Sequence, residues 1–177
     1  MNNIRLVTPN PSLKNSFIRY YEEYEAIEDA NAQVYKDMYR HGKEDFDKYL
    51  QFLEDRSKGI GVPEGWTASH TYWMVRDESY ILGIVRIRPD LCSNYLEQYI
   101  GHIGYDIRPT ERGQGFGTEI LRLALQEAKG FDLTDVLILC SSNNSASRMI
   151  ILKNNGLYES NIEDETGEVL ERYWIKL

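Results

Sequence analysis

A chain of 177 residues, 42% of them hydrophobic, can bury one substantial core, which excludes a disordered polymer and fits a single domain over residues 1–177. A formal net charge of −8, from 28 acidic against 20 basic residues, argues against general nucleic-acid binding, because that depends on neutralising phosphates with Lys and Arg. Cys92 and Cys140 form no Cys-x-x-Cys pair and no apolar run is long enough for a membrane span or a signal peptide, so we expect no disulfide framework, no metal site, no membrane association and a cytoplasmic protein.

Ile4–Val7 reads as a short strand. Asn10-Pro11 then signals a helix start, with Asn as N-cap and Pro at the first helical position. Leu13, Phe17, Tyr20, Tyr21, Tyr24 and Ile27 follow at helical spacing. A second helical piece is expected around Ala32–Arg40, ended by Gly42. A third is marked by Phe46, Tyr49, Leu50 and Leu53. Gly59–Gly65 is loop-like by its Gly and Pro content. Tyr72–Arg76 and Tyr80–Arg88 read as a hairpin around residues 77–79, and the second arm carries apolar residues on both faces, as an interior strand does. The run Tyr99–Ile107 reads as a further strand. Thr118–Lys129 is helical, Asp135–Cys140 a strand, and a helix is expected from about Ser145 to Asn154. Strands over Leu157–Glu163 and Val169–Lys176 close the chain. This order describes an α/β domain with a mixed sheet and helices on both faces.

The stretch Arg112-Gly113-Gln114-Gly115-Phe116-Gly117 sits between a strand and an amphipathic helix. A glycine-rich loop that opens a helix leaves backbone N–H groups unpaired beside the positive end of the helix dipole, which makes an anion site. Glycine also lets a phosphate approach without a Cβ in the way. A Walker loop would close on Lys-Ser or Lys-Thr, whereas here Gly117 is followed by Thr118 and Glu119. A dinucleotide fingerprint would have a third glycine where Thr118 stands, and an acidic residue after the next strand, which instead ends Cys140-Ser141-Ser142-Asn143-Asn144.

A third pattern fits. Arg112-x-x-Gly115-x-Gly117, after a strand ending Ile107-Arg108-Pro109, resembles the acyl-CoA loop of GNAT-family (Gcn5-related) N-acetyltransferases. The resemblance continues through Asn144-Ser145-Ala146-Ser147 after a short apolar strand, then a helix running into Lys153-Asn154-Asn155-Gly156-Leu157. It covers residues 70–177 in order. It implies the GNAT fold, a mostly antiparallel sheet with one parallel, splayed strand pair. It also implies direct transfer of an acyl group, with acetyl-CoA as donor, to a primary amine of a small molecule or peptide. The pyrophosphate would sit on the N–H groups of Arg112, Gly113, Gln114, Gly115, Phe116 and Gly117, with the Thr118 hydroxyl beside them. Ile107 would meet the pantetheine through its main chain, and Asn144 would orient the arm, unless Asn143 takes that place or Asn144 serves only as a helix cap. The family often pairs, so a homodimer is an expectation.

The acid and base are less legible. The helix position where many family members carry a proton-donating tyrosine is Ile151 here, and Tyr158 lies beyond Gly156. A catalytically degenerate domain that binds CoA as a sensor or structural module is therefore the alternative reading. For the base, which must take a proton from an ammonium whose pKa is about 10.4 for a lysine-like amine, the candidates are His102 and Glu97. Both have structural readings, His102 as a hydrogen-bonded core histidine above all. Cys140 could form a thioacyl intermediate, but a lone cysteine on an apolar strand is more often a small core residue. The 13 tyrosines concentrate at Tyr20, Tyr21, Tyr24, Tyr35 and Tyr39, on what would be the acceptor side, and serve as an aromatic wall or as core. Trp66 is a candidate lid contact.

Overall fold

The computed structural model describes residues 3–28 and 30–177. In chain order the elements are β1 (Ile4–Val7), α1 (Lys14–Glu25), α2 (Ala30–Glu44), α3 (Phe46–Ser57), β2 (His70–Arg76), β3 (Tyr80–Ile87), β4 (Ile103–Ile107), α4 (Phe116–Ala128), β5 (Asp135–Ser141), α5 (Ser145–Lys153), β6 (Leu157–Glu163) and β7 (Val169–Lys176).

The strands form two antiparallel sheets, one ordered β1-β2-β3-β4 and the other β5-β7-β6. Helices cover both faces of the first. Trp73, Val75, Ile81 and Ile84 turn toward α1–α3, where they bury Phe17, Tyr20, Tyr24 and Tyr39. Met74, Leu82, Val85 and Ile87 turn the other way, into a core shared with Ile120, Leu121 and Ala124 of α4 and with Val136, Ile138 and Ile175 of the second sheet. Strand alternation thus feeds two cores from one sheet, as the doubly apolar β3 anticipates.

Two boundaries differ from the expectation. Gly42 does not end α2, which continues to Glu44. A Cβ there would overlap the Phe17 ring, so the glycine lets α1 and α2 approach. The run from Tyr99 is not strand at its start either. Leu96–Ile100 is a single π turn closed by Gly101 at φ +75°, and β4 begins only at Ile103. Tyr99 therefore lies on that turn and shares no strand face with Tyr105.

The π turn decides where the sheets part. Between β4 and β5 there is one bridge, Gly101–Ile138, of antiparallel pattern, and no parallel ladder among the described residues. The His102 N–H donates to the Leu137 carbonyl at 2.8 Å. The Leu137 N–H in turn donates not to a carbonyl but to the His102 imidazole Nδ1, at 2.9 Å. A side chain takes the place of the next ladder partner, and pairing stops. Arg172 of β7 holds the turn in place, donating to the carbonyls of Glu97 at 2.5 Å and Gln98 at 3.3 Å. Beyond this junction the β4 edge has no partner, and a cavity opens.

Candidate active site

The cavity, of about 690 Å³, lies between β4 and β5 and takes in the C-terminal residues of both strands. Tyr105, Asp106 and Ile107 of β4, Ser141 of β5 and the loop Asn143–Asn144 line it, with Ser147 and Ile150 of α5, Arg112, Gly113 and Gly117 of the glycine loop, and Val34 and Tyr35 of α2.

The glycine loop is open at this mouth. Gly113 and Gly115 have φ of +78° and +89°, a backbone region that side chains disfavour, and nothing lies within 4 Å of where either Cβ would be. Among the described residues, the N–H groups of residues 113–117 have no hydrogen-bond acceptor; Thr118 and Glu119 bond back, both to the Gly115 carbonyl. Five adjacent donors at the start of a 13-residue helix are the arrangement an anion would require. Gly117 has a second reason to be glycine, because a Cβ would strike Ile150 of α5. The Gln114 side chain turns back on residues 110 and 111 at 3.4 and 3.2 Å. Phe116 packs into the core, and Gln114, Gly115, Phe116 and Thr118 do not line the cavity. The Thr118 carbonyl accepts from Asn154 Nδ2 at 3.2 Å, a tie between α4 and α5 that the sequence reading did not identify.

Asn144 is the N-cap of α5, its Oδ1 accepting from the Ser147 N–H at 2.9 Å, and Asn143 stands beside it on the cavity wall. The Ile107 carbonyl is already engaged, accepting from Arg112 Nε at 3.2 Å and from the Tyr24 hydroxyl at 3.1 Å.

The two expected bases fall elsewhere. His102 does not line the cavity; it is buried in the junction, where Nδ1 accepts from Leu137, and burial holds its pKa below the usual histidine value. Glu97 sits on the π turn, with its carbonyl held by Arg172. Ile151 is fully buried, and the α5 residues that line the cavity are Ser145, Ala146, Ser147 and Ile150. Cys140 is buried and outside the lining, its thiol pushed up to about 11 first by burial and then by Glu171, which suits a core residue better than a nucleophile.

Sequence reasoning named the tyrosines on this side but missed the polar groups they meet, Asp106, Arg86 and Ser147. The Tyr105 hydroxyl lies 3.1 Å from Ser147 Oγ, and burial raises its pKa well above that of an ordinary phenol. Tyr35 is pushed up to about 12, by burial and then by Asp106. Asp106 is the centre of a buried cluster. It accepts from the hydroxyls of Tyr20, of Tyr24 at 3.1 Å and of Tyr39 at 2.6 Å, and Arg86 Nη1 approaches it at 3.4 Å. Arg86 also donates to the Tyr39 hydroxyl, and Arg112 Nη2 donates to that of Tyr24 at 3.3 Å. A continuous chain of hydrogen bonds thus runs from the glycine loop to β3.

A family model described as an acetyltransferase (GNAT) domain matches residues 18–156. The chain belongs to this family. Among solved structures, a ribosomal α-N-protein acetyltransferase in complex with coenzyme A superposes with a TM-score of 0.68 at 17% identity, over 98% of this chain and 94% of that one. The microcin self-immunity acetyltransferase MccE, in complex with acetyl-CoA and AMP, gives 0.67 at 14% identity, over 98% and 92%. A spermidine N-acetyltransferase chimera built from Vibrio cholerae and human sequences gives 0.60 at 11% identity, over 98% and 95%. At these identities they share the GNAT fold with this chain. No curated protein sequence matches it. Among the described residues no helix is long and apolar enough to cross a membrane, and no group of three His, Cys, Asp or Glu side chains could hold a metal.

Proposed function

We propose that the protein transfers an acetyl group from acetyl-CoA directly to a primary amine. The observation that carries this is the row of unpaired N–H groups at residues 113–117, at the mouth of a cavity that opens beside an unpaired strand edge. Five donors suit a pyrophosphate. The bare β4 edge suits the amide groups of a pantetheine arm, which add to a strand as a peptide does. Arg112 stands at the same mouth, tethered to Ile107 and Tyr24.

In this reading the acetyl carbonyl lies near Tyr105, and an amine arriving from the α2 side attacks it. The carbonyl carbon gains the C–N bond, the C–S bond breaks, the nitrogen gives up one proton to solvent, and the departing thiolate takes one. The Tyr105 hydroxyl is our candidate donor: its raised pKa keeps it protonated at neutral pH, and Ser147 can hand on a proton to replace the one it gives. This answers the loss of the family tyrosine at Ile151 with a phenol from the opposite wall.

The test is acetyl-CoA binding by calorimetry, on the parent and on Gly115→Glu. The substitution puts a carboxylate at the proposed pyrophosphate site and strains a backbone at φ +89°. Micromolar binding by the parent, weakened by about a hundredfold or more in a folded variant, is expected from setting a charge against a diphosphate. A parent that does not bind acetyl-CoA would end this reading.

A further inference from the structure

On the far side of Arg86 from the main cavity lies a second hollow, of about 290 Å³. Among the described residues its wall includes Arg56, Arg86 and Arg88 and no carboxylate, in a chain whose acids outnumber its bases 28 to 20. Arg86 is neutralised by Asp106, but among the described residues Arg56 and Arg88 pair with no acid. Arg88 Nε is buried without a hydrogen-bond partner, and its guanidinium lies 5.8 Å from the centre of the Trp66 ring. That of Arg56 lies 4.9 Å from the centre of the Phe52 ring. Burial, and then Arg86, pull the pKa of Arg88 down to about 10, so it stays cationic at neutral pH at a cost that a bound anion would offset. The rim is apolar: Met38, Phe52 and Trp66 are 40%, 48% and 36% exposed.

The two hollows are neighbours. Val34 and Tyr35 line the first, and Met38, one helical turn on, lines the second. Between Arg86 and Asp106 sits Gly104, directly across the ladder from Arg86 and on the same face. Nothing lies within 4 Å of where its Cβ would be. No side chain fills the space over Gly104, which lies beside the Arg86–Asp106 pair that separates the two hollows.

We propose that this second hollow is the anion-recognising end of the acceptor site, and that the acceptor is a small amine carrying a carboxylate or phosphate on an apolar or aromatic body. The anion pairs with Arg88 and Arg56, the body lies against Trp66 and Phe52, and the amine reaches the main cavity over Gly104. The pocket is the size of a small-molecule fragment rather than a polymer track. The proposal rests on the acetyltransferase reading, and the experiment separates the two.

Acetyl-CoA binding is measured first, on the parent and on Arg88→Met. Arg88 has no partner to orphan, so the variant is expected to fold at least as stably as the parent. CoA release is then followed with amines paired by charge: β-alanine, γ-aminobutyrate and phenylalanine each beside its carboxamide, phosphoethanolamine beside ethanolamine, and spermidine as a cationic reference. The expected result is that at least one anionic amine exceeds its neutral partner by about tenfold or more in kcat/KM, the scale of a charge-assisted hydrogen bond. Arg88→Met should raise its KM by a similar factor, with acetyl-CoA affinity unchanged. The carboxylate and phosphate arms tell which anion is preferred. Equal or better use of the neutral partners or of spermidine overturns the proposal, as does a charge preference that survives both Arg88→Met and Arg56→Met. If no amine turns over, the same anions are titrated onto the acetyl-CoA-loaded protein by NMR: binding that Arg88→Met abolishes supports the site, and no binding overturns it. Should the parent fail to bind acetyl-CoA, the acetyltransferase reading falls, while an Arg88-dependent anion site would stand.

Discussion

The glycine loop and the α1–α2 cluster behind Asp106, two regions that meet at the main cavity, are built from different material. The glycine loop is backbone: its donors are main-chain N–H groups, it is exposed, and three glycines within five residues give it its shape. The α1–α2 wall is side chain, with three tyrosines and an arginine converging on one buried carboxyl. A backbone site tolerates change at most side chains and fails at its glycines. A side-chain cluster fails when its common acceptor is lost, because every donor is then orphaned at once. Tyr24 joins the walls, since its hydroxyl meets Asp106, Ile107 and Arg112.

The largest expected effect exploits the tyrosine wall as a whole. Burial raises the pKa of Tyr20, Tyr24, Tyr39 and Tyr49 well above 10.0, and that of Tyr35 to about 12. In the unfolded chain these phenols ionise near pH 10 while in the native state they keep their protons, so above pH 10 the unfolded state binds fewer protons and stability falls as pH rises. The loss is on the order of 1 kcal/mol per tyrosine by pH 11. Urea unfolding between pH 8 and 11 measures it; a flat profile would contradict the buried cluster. Next comes Asp106→Ala, which leaves Arg86 and three hydroxyls without their acceptor and is expected to cost about 3–5 kcal/mol by denaturant unfolding. The comparison predicts that acetyl-CoA affinity of the folded fraction changes much less than in Gly115→Glu. The smallest expected effect on the fold is that of Tyr105→Phe, within about 1 kcal/mol of parent stability, but with kcat lowered about a hundredfold once an acceptor is in hand. An unchanged kcat would remove Tyr105 as the proton donor.

The contrast also explains what could be read from the chain. The loop is legible because its shape is written in consecutive residues, with Gly113 and Gly115 at positive φ. The amphipathic stripe of α1 is legible too, as a buried face. Its common partner is not: Tyr20 and Asp106 are 86 positions apart, and Tyr39 and Asp106 67 apart. Nothing local in a strand reading Ile103–Ile107 marks its aspartate as an acceptor for helices so distant. Periodicity also mistakes a glycine that permits close packing, Gly42, for one that stops a helix. At Tyr99–Gly101 a residue run rich in strand formers hides a π turn, because the left-handed Gly101 that closes it looks like any other glycine between apolar residues. His102 is the sharpest case. A histidine beside an expected cleft invites a catalytic role, whereas its imidazole here stands in for a peptide carbonyl.

That substitution has a mechanical side. The sheets are pinned at one end, at the Gly101–Ile138 bridge and the His102–Leu137 hydrogen bonds, and at the other are joined only through side chains such as Tyr105 and Ser147, so β4 acts as a lever with its pivot at the histidine. Five strand residues span about 17 Å, and a rotation of about 3° at the pivot moves the far end by about 1 Å, two-thirds of a carbon–carbon bond. The ring of Trp174, centred 6.2 Å from that of His102, and the grip of Arg172 on the π turn set the angle from behind. The width of the gap at Tyr105, which in the proposed reading sets the bulk of the acyl group it admits, is adjustable by residues that do not line the cavity.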